Sequence, residues 1–296
     1  MSFLKSLSLA IKTTGLLGAK DAADYYQFLG DDVVEGQHSD FADPQKPLWL
    51  NLGYWEHARK YPQAAADLAQ LVGEAAGLAP GMRLLDVGFG FAEQDFYWLE
   101  RFDLSHIAGL NITPLHVERA QARVRERGLE DKMDLRLGSA TEIPFEDSSF
   151  DAVTALECAF HFNTRETFFD EAFRVLKPGG RISTADGATT DGRTKMNMIN
   201  RFLLKRWSVP LANMYDKAEY CRRLEAHGFV DAKAHSIRNH VFPGCLKYKE
   251  LREKGMSMDD AVIELSQAEI DNCYGLEQWA LTGFTDYVIF SAQKPA

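Results

Sequence analysis

Residues 84–94 read Leu-Leu-Asp-Val-Gly-Phe-Gly-Phe-Ala-Glu-Gln, an apolar run that passes directly into a glycine-punctuated turn. Such a run suits a strand covered on both faces. Strand, turn and following helix form a βα unit whose helix N-terminus lies under a ligand. The spacing says which ligand. A dinucleotide turn needs Gly-x-Gly-x-x-Gly, the third glycine giving close helix–strand packing behind a pyrophosphate. Gly88 and Gly90 are present, but Glu93 stands at the third position and the small residue comes one place earlier, at Ala92. A carboxylate at 93 is expected to face the phosphate oxygens, which argues against a pyrophosphate. An acid, Asp86, precedes the first glycine by two places.

The chain then alternates. Strands are predicted at 83–88, 106–111, 133–137, 150–156 and 181–186, separated by helices at about 92–101, from Pro114 to a stop at Gly128, and at 165–175. Thr113, just before Pro114, reads as a helix cap. A helix over 64–78 precedes the first strand; a helix at 216–226 and strands at 229–237 and 287–292 follow the fifth. Short loops between alternating elements imply parallel strands and right-handed crossovers. The fold class is therefore α/β, a doubly wound, mostly parallel Rossmann-like sheet of about seven strands. Residues 1–62 read as an N-terminal helical and aromatic flap and residues 63–296 as the core. Within the core, 187–215 and 244–280 read as helical cap insertions, the second with Met258, Val262, Leu265 and Ile270 in helical phase.

Composition narrows the partners. A formal charge of −10 argues against nucleic acid, which demands clustered Lys and Arg. The four cysteines have no close pairing, so neither zinc nor a disulfide framework is suggested, and the setting is read as cytoplasmic. Residues 1–20 would align Phe3, Leu7 and Ile11 on one helical stripe with Lys5 and Lys12 on another. That segment is either a flap on its own protein or a weak contact with a membrane surface.

The pattern Asp86-x-Gly88-x-Gly90-x-Ala92 resembles the first motif of class I S-adenosylmethionine-dependent methyltransferases, whose turn passes under a cofactor with an amino-acid tail and no phosphate. Three further stretches resemble the same family. Ala108-Gly109-Leu110-Asn111-Ile112-Thr113 is similar to the second-strand motif that holds the ribose hydroxyls, with Asn111 where many members have an acid. Gly138-Ser139-Ala140-Thr141-Glu142-Ile143-Pro144-Phe145 resembles the loop beside the adenine, with Ser139 where an acid is frequent. Phe150-Asp151-Ala152-Val153, with Leu176-Lys177-Pro178-Gly179-Gly180, resembles the fourth strand and the turn before the fifth. Upstream, Asn51-Leu52-Gly53-Tyr54-Trp55 is similar to a segment of small-molecule members in which the tyrosine covers the methionine end of the cofactor. The resemblance implies S-adenosyl-L-methionine as cofactor, held by Tyr54, Asp86, Gly88, Gly90, Ala92, Gln94, Asn111, Ile112, Ser139, Ala140, Thr141 and Glu157.

Methyl transfer is an in-line displacement, so most of the catalytic demand is alignment. A base is needed only where the nucleophile must lose a proton. Glu157-Cys158-Ala159-Phe160-His161-Phe162 follows the fourth strand, where sugar, tocopherol-type and sterol-type members have an acid and a histidine at the matching places. His161 is the candidate base, since an imidazole takes a proton near neutrality; the plainer reading is a histidine that only donates to a carbonyl. Glu157 is read as binding or orienting, Asp186 as a partner, second base or helix cap, and Cys158 as packing. The expected substrate is a small hydrophobic metabolite such as a lipid, isoprenoid or polyketide-like natural product, methylated on oxygen or carbon. Closure of a cyclopropane on a lipid, or a non-catalytic S-adenosylmethionine-binding protein, are the alternatives. Tyr25, Tyr26, Trp55, Tyr274 and Trp279 are candidate pocket aromatics, and Arg201, Lys205 and Arg206 the local candidates for an anionic group.

Overall fold

The computed structural model describes residues 47–189, 208–272 and 286–296, with Ala22 and Leu204. The N-terminal amphipathic segment, Tyr25, Tyr26, Arg201, Lys205, Arg206, Tyr274, Trp279 and much of the first cap insertion lie outside the described residues.

A helix, α1 (Tyr61–Ala75), precedes the sheet; it carries Pro62 in its first turn, where a missing N–H costs no helical bond. Then follow β1 (Arg83–Val87), α2 (Glu93–Arg101), β2 (His106–Asn111), α3 (Pro114–Glu126), β3 (Met133–Leu137), β4 (Phe150–Leu156), α4 (Arg165–Val175) and β5 (Leu176–Ala188). The chain closes with α5 (Lys217–Ala226), β6 (Val230–Ser236), α6 (Arg238–Glu253), α7 (Gln267–Asn272) and β7 (Asp286–Gln293). The strands form one 7-stranded sheet in the order β3-β2-β1-β4-β5-β7-β6. Pairs among the first five strands are parallel, and β7 runs antiparallel to both β5 and β6.

Both faces of the sheet are covered, as the uninterrupted apolar strands require. Leu84, Ile107 and Ala152 pack on one face with Leu68, Val72 and Trp98; Leu85, Ala108 and Val153 pack on the other with Phe168, Phe169 and Tyr220. Burying each large side chain is worth about 1.5–3 kcal/mol. Strand order reverses between β1 and β4, and at that switch point an open α/β sheet leaves a crevice beyond its carboxyl ends. Among the described residues no helix is long and apolar enough to cross a membrane.

Two local expectations differ from the structure. Thr113 sits at the N-terminal boundary of α3 with an extended backbone, yet its side chain makes no cap bond; instead its N–H donates to Asn111 Oδ1 at 3.0 Å. The stretch 244–280 is not continuously helical. α6 begins earlier, at Arg238, and ends before Gly255, whose φ of +88° no helix continues. The residues that follow bond elsewhere, the Ile263 N–H donating to Arg59 O at 2.8 Å, and Val262 is left exposed. Helical periodicity there was a coincidence of spacing, overridden by pairing with residues before α1.

Candidate active site

A cavity of about 630 Å3 lies beyond the carboxyl ends of β1, β2 and β4. Its floor is the turn after β1. Gly88 and Gly90 have φ of +78° and +56°, and Ala92, which starts α2, has +62°. That backbone path favours glycine, and at Gly88 space demands it as well: a Cβ there would lie 2.6 Å from Cys158 Cβ, whereas at Gly90 it would meet only the movable end of Leu50, 2.9 Å from Cδ1. Leu50 belongs to a strap of residues 47–55 that crosses over the turn. The strap is tied down by backbone donors, Leu48 N–H to Glu93 Oε2 and Leu52 N–H to Glu157 Oε1, each at 2.8 Å. Trp55 anchors its end, donating through Nε1 to Leu52 O at 2.8 Å and packing so closely on Gly244 of α6 that a Cβ there would meet Trp55 Cγ at 2.1 Å.

Of the residues singled out in the sequence, Gly88, Gly90, Gln94, Asn111, Ile112, Ser139, Ala140, Thr141, Glu157 and His161 all line this cavity. Asp86, Ala92, Tyr54 and Asp186 do not. Asp86 is fully buried and bonded to a residue that does line the cavity: its Oδ2 accepts from Gln94 Nε2 at 3.2 Å and its Oδ1 from Thr154 Oγ1 at 2.7 Å. Burial pushes its carboxyl up to about 7 against those two hydrogen bonds. Ala92 is buried in the core beneath the turn, its small size serving packing rather than ligand approach. Tyr54 turns outward, donating to Glu56 Oε2 at 2.5 Å with its ring 5.4 Å from that of His240.

Glu93 also departs from expectation. Its carboxylate turns away from the turn, to Arg123 Nη2 at 2.5 Å and the Leu48 amide. Its presence excludes a pyrophosphate through the missing glycine, not through repulsion.

Asp186 forms a buried ion pair, its Oδ2 2.8 Å from Arg165 Nη2. Burial raises its carboxyl to about 6, with the Arg165 charge opposing. Arg165 also donates from Nη1 to Asn213 O at 2.9 Å and from Nε to Ala159 O at 3.3 Å. Asn213 in turn donates through Nδ2 to Phe160 O and Phe162 O at 3.0 and 2.7 Å. Asp186 is thus neither a base at the cavity nor a helix cap; it anchors the network that shapes the His161 turn.

The wall after β4 holds the ionisable groups. Glu157 has a φ of +55° and accepts at Oε1 from the Leu52 amide at 2.8 Å and from Tyr287 Oη at 2.5 Å. Burial pushes its carboxyl up to about 7 despite both donors. His161 ends a short 3-10 turn, Ala159–His161, with Nδ1 3.3 Å from Ser208 O and its ring 4.0 Å from that of Phe160. Cys158 donates from Sγ to Val87 O at 2.9 Å, and burial holds its thiol far above the usual range, so it is inert.

Sequence reasoning missed Tyr287, His116, Asn163, Val209 and Phe242, which also line the cavity. Tyr287 was detectable. An antiparallel last strand starts where the parallel strands end, so its first residues reach the carboxyl edge; Tyr287 is in register with Gly187 near the end of β5. His116 lies against Phe91 at 4.5 Å, and burial, aided by Arg119, lowers its imidazole to about 4. It is neutral at physiological pH.

The residues present fit a nucleoside that carries no phosphate. Among the described residues no lysine or arginine lines the cavity, and the end toward β2 and β3 offers neutral hydrogen-bonding groups from Asn111, His116, Ser139 and Thr141.

Known proteins agree with that geometry. Residues 85–184 match the family described as a methyltransferase domain. The chain is 34% identical over 258 residues to erythromycin 3''-O-methyltransferase of Saccharopolyspora erythraea, covering 83% of this chain and 84% of that protein. It is 27% identical over 262 residues to 27-O-demethylrifamycin SV methyltransferase of Amycolatopsis mediterranei, covering 86% and 94%. Its fold is shared with the [4+2]-cyclase SpnF, with a TM-score of 0.70 and 23% identity over 94% of this chain and 98% of that one. With the nucleoside-compatible cavity and a relative matched over more than four fifths of both chains, the chain belongs to the class I S-adenosylmethionine-dependent methyltransferases, in the branch that acts on small molecules.

Proposed function

We propose that this enzyme methylates a hydroxyl group on an uncharged, largely apolar natural product of polyketide-like size. The single observation that carries the reading is the composition of one cavity wall. Glu157 and His161 are set among Leu156, Phe160, Phe162, Val209 and Phe242, so two proton acceptors face a mostly apolar space. A cavity of about 630 Å3 falls within the size range of ligand sites generally.

Bound S-adenosylmethionine supplies an electrophilic methyl on a positively charged sulfur. In this reading Ser139, Ala140 and Thr141 receive the adenine and Asn111 the ribose. Asn111 Oδ1 is engaged by the Thr113 N–H, so its amide donors face the sugar oxygens. Gly88 and Gly90 admit the amino-acid tail, and Asp86 fixes the Gln94 amide beside it. This order along the sheet edge leaves the β4 turn for the acceptor. There His161 takes the proton from the acceptor hydroxyl, and Glu157 orients that hydroxyl. The Arg165–Asn213–Asp186 network keeps the His161 turn in place, which matters because near-attack geometry tolerates little displacement. Oxygen is favoured over carbon because a hydroxyl nucleophile needs such a base, and the relatives named above are O-methyltransferases for an erythromycin and a rifamycin substrate.

The test is release of S-adenosylhomocysteine in the presence of hydroxylated macrolides and ansamycins, with products located by mass spectrometry. His161→Ala is expected to lower kcat by roughly 10²–10⁴-fold while leaving calorimetric cofactor affinity intact. Full turnover in that variant removes His161 as the base.

A further inference from the structure

Glu157 is reached from two distant parts of the chain. Leu52 and Tyr287 lie 105 and 130 residues away in sequence, yet among the described residues both hydrogen bonds fall on the same oxygen, Oε1. Tyr287 is buried, and its antiparallel strand delivers it to the carboxyl edge of β4 and β5. We propose that Tyr287 is a positioning residue: with the Leu52 amide it clamps one oxygen of Glu157, favours the charged form of the carboxyl at the cavity wall, and leaves the other oxygen to receive the hydrogen bond of the acceptor hydroxyl.

The inference rests on the hydroxyl-methylation reading for its purpose, though not for its geometry. A carboxylate sunk into a mostly apolar wall loses hydration, and that favours its neutral form. Two donors on one oxygen oppose this, because hydrogen bonds to the charged form stabilise it. The balance stands near neutrality, at about 7. Other groups around it set the same balance. Asp186 at the end of β5 pushes the Glu157 carboxyl upward, with Arg165 of α4 paired to Asp186. Tyr61 of α1 and Tyr287 of β7 both lie within electrostatic reach of Glu157, and burial keeps each phenol protonated well past its usual range. Cys245 of α6 acts on both phenols, and Cys158 beside Glu157 stays a neutral thiol. Tyr287 is therefore a donor at every working pH.

The test is an infrared titration of the carboxyl stretch in the full chain saturated with S-adenosylhomocysteine, with Glu157→Gln identifying the band. The native protein is expected to titrate near 7. Tyr287→Phe, which keeps the ring and removes the donor, moves that midpoint to higher pH by about one pH unit. Substituting 3-fluorotyrosine at 287, a stronger donor of nearly the same size, moves it lower, so the idea remains testable if the phenylalanine variant folds poorly. In the methyl-transfer assay Tyr287→Phe raises the acceptor KM without changing S-adenosylhomocysteine affinity, and adds nothing in a Glu157→Gln background. An unchanged midpoint in both Tyr287 variants overturns the proposal while leaving His161 as base untouched. Conversely, a shifted midpoint together with full activity of His161→Ala removes the base assignment and keeps the clamp.

Discussion

The two halves of the cavity are built from different material. Toward β1, β2 and β3 the lining is backbone and neutral side chains, contributed by turns that directly follow each strand. Toward β4, β5 and β7 it is a carboxylate, an imidazole and a phenol, held by partners from remote parts of the chain. Two carboxylates show the contrast. Glu93 and Glu157 each accept a backbone N–H from the strap over the turn, but Glu93 is matched by the guanidinium of Arg123, whereas among the described residues Glu157 is matched by a neutral phenol. The first is one half of a buried ion pair. The second is poised to change charge within the working pH range, which suits a group that meets substrate. The cofactor half is thus a fixed surface and the acceptor half a titratable one.

The largest expected effect lies in the fixed half. Gly90→Val forces a branched side chain into a left-handed backbone position already in contact with Leu50, and calorimetry should show S-adenosylhomocysteine binding lost. Undiminished affinity would remove the distinction between the halves, because the turn would then not be a ligand surface.

Next comes the support of the acceptor half. Asp186→Ala strands the buried Arg165 charge and is expected to cost about 3–5 kcal/mol in urea denaturation. Stability within experimental error of the native protein would mean that the His161 turn is held by other contacts.

A smaller effect separates the two carboxylates directly. Glu157 is raised from 4.5 to about 7, so between these values the folded state holds a proton that the unfolded chain has released. Its contribution therefore favours folding at acid pH and is lost as pH rises through 7. Glu157→Gln should stabilise the protein by about 1–2 kcal/mol at pH 8, after allowance for solvent reaching the cavity, and have little effect at pH 4. Glu93→Gln should destabilise at both ends of the neutral range by leaving buried Arg123 unpaired. Equal behaviour of the two in thermal melts across pH would erase the contrast. Smallest is Asn111→Ala, expected to weaken cofactor binding by about 1 kcal/mol, roughly fivefold, through loss of amide hydrogen bonds.

This division also explains what the sequence disclosed. The alternation of strands with helices and the glycine turn were legible because each rests on neighbouring residues: an apolar strand, a left-handed turn, a helix start. Asn111, Ser139 and Thr141 were found through the family resemblance of the short stretches around the ends of β2 and β3. Tyr287 and the Leu52 amide were not, because their partnership with Glu157 arises only when an antiparallel strand and a strap converge. Glu93 and Asp186 misled for a related reason. Glu93 was expected to face the ligand and Asp186 to act as a partner, second base or helix cap, and each is consumed by an arginine, Arg123 from α3 and Arg165 from α4. Tyr54 was misplaced because the strap presents Leu50, Asn51 and Leu52 to the cavity and turns the following tyrosine outward.

The central claim is that a nucleoside without phosphate occupies the neutral half and directs its sulfur at the titratable half. A crystal structure with S-adenosylhomocysteine tests it most directly. The account predicts adenine against Ser139–Thr141, ribose at Asn111, the amino-acid tail over Gly88 and Gly90, and the sulfur facing Glu157 and His161. Adenine lodged instead among Phe160, Phe162 and Phe242, with the β1 turn bare, would contradict it.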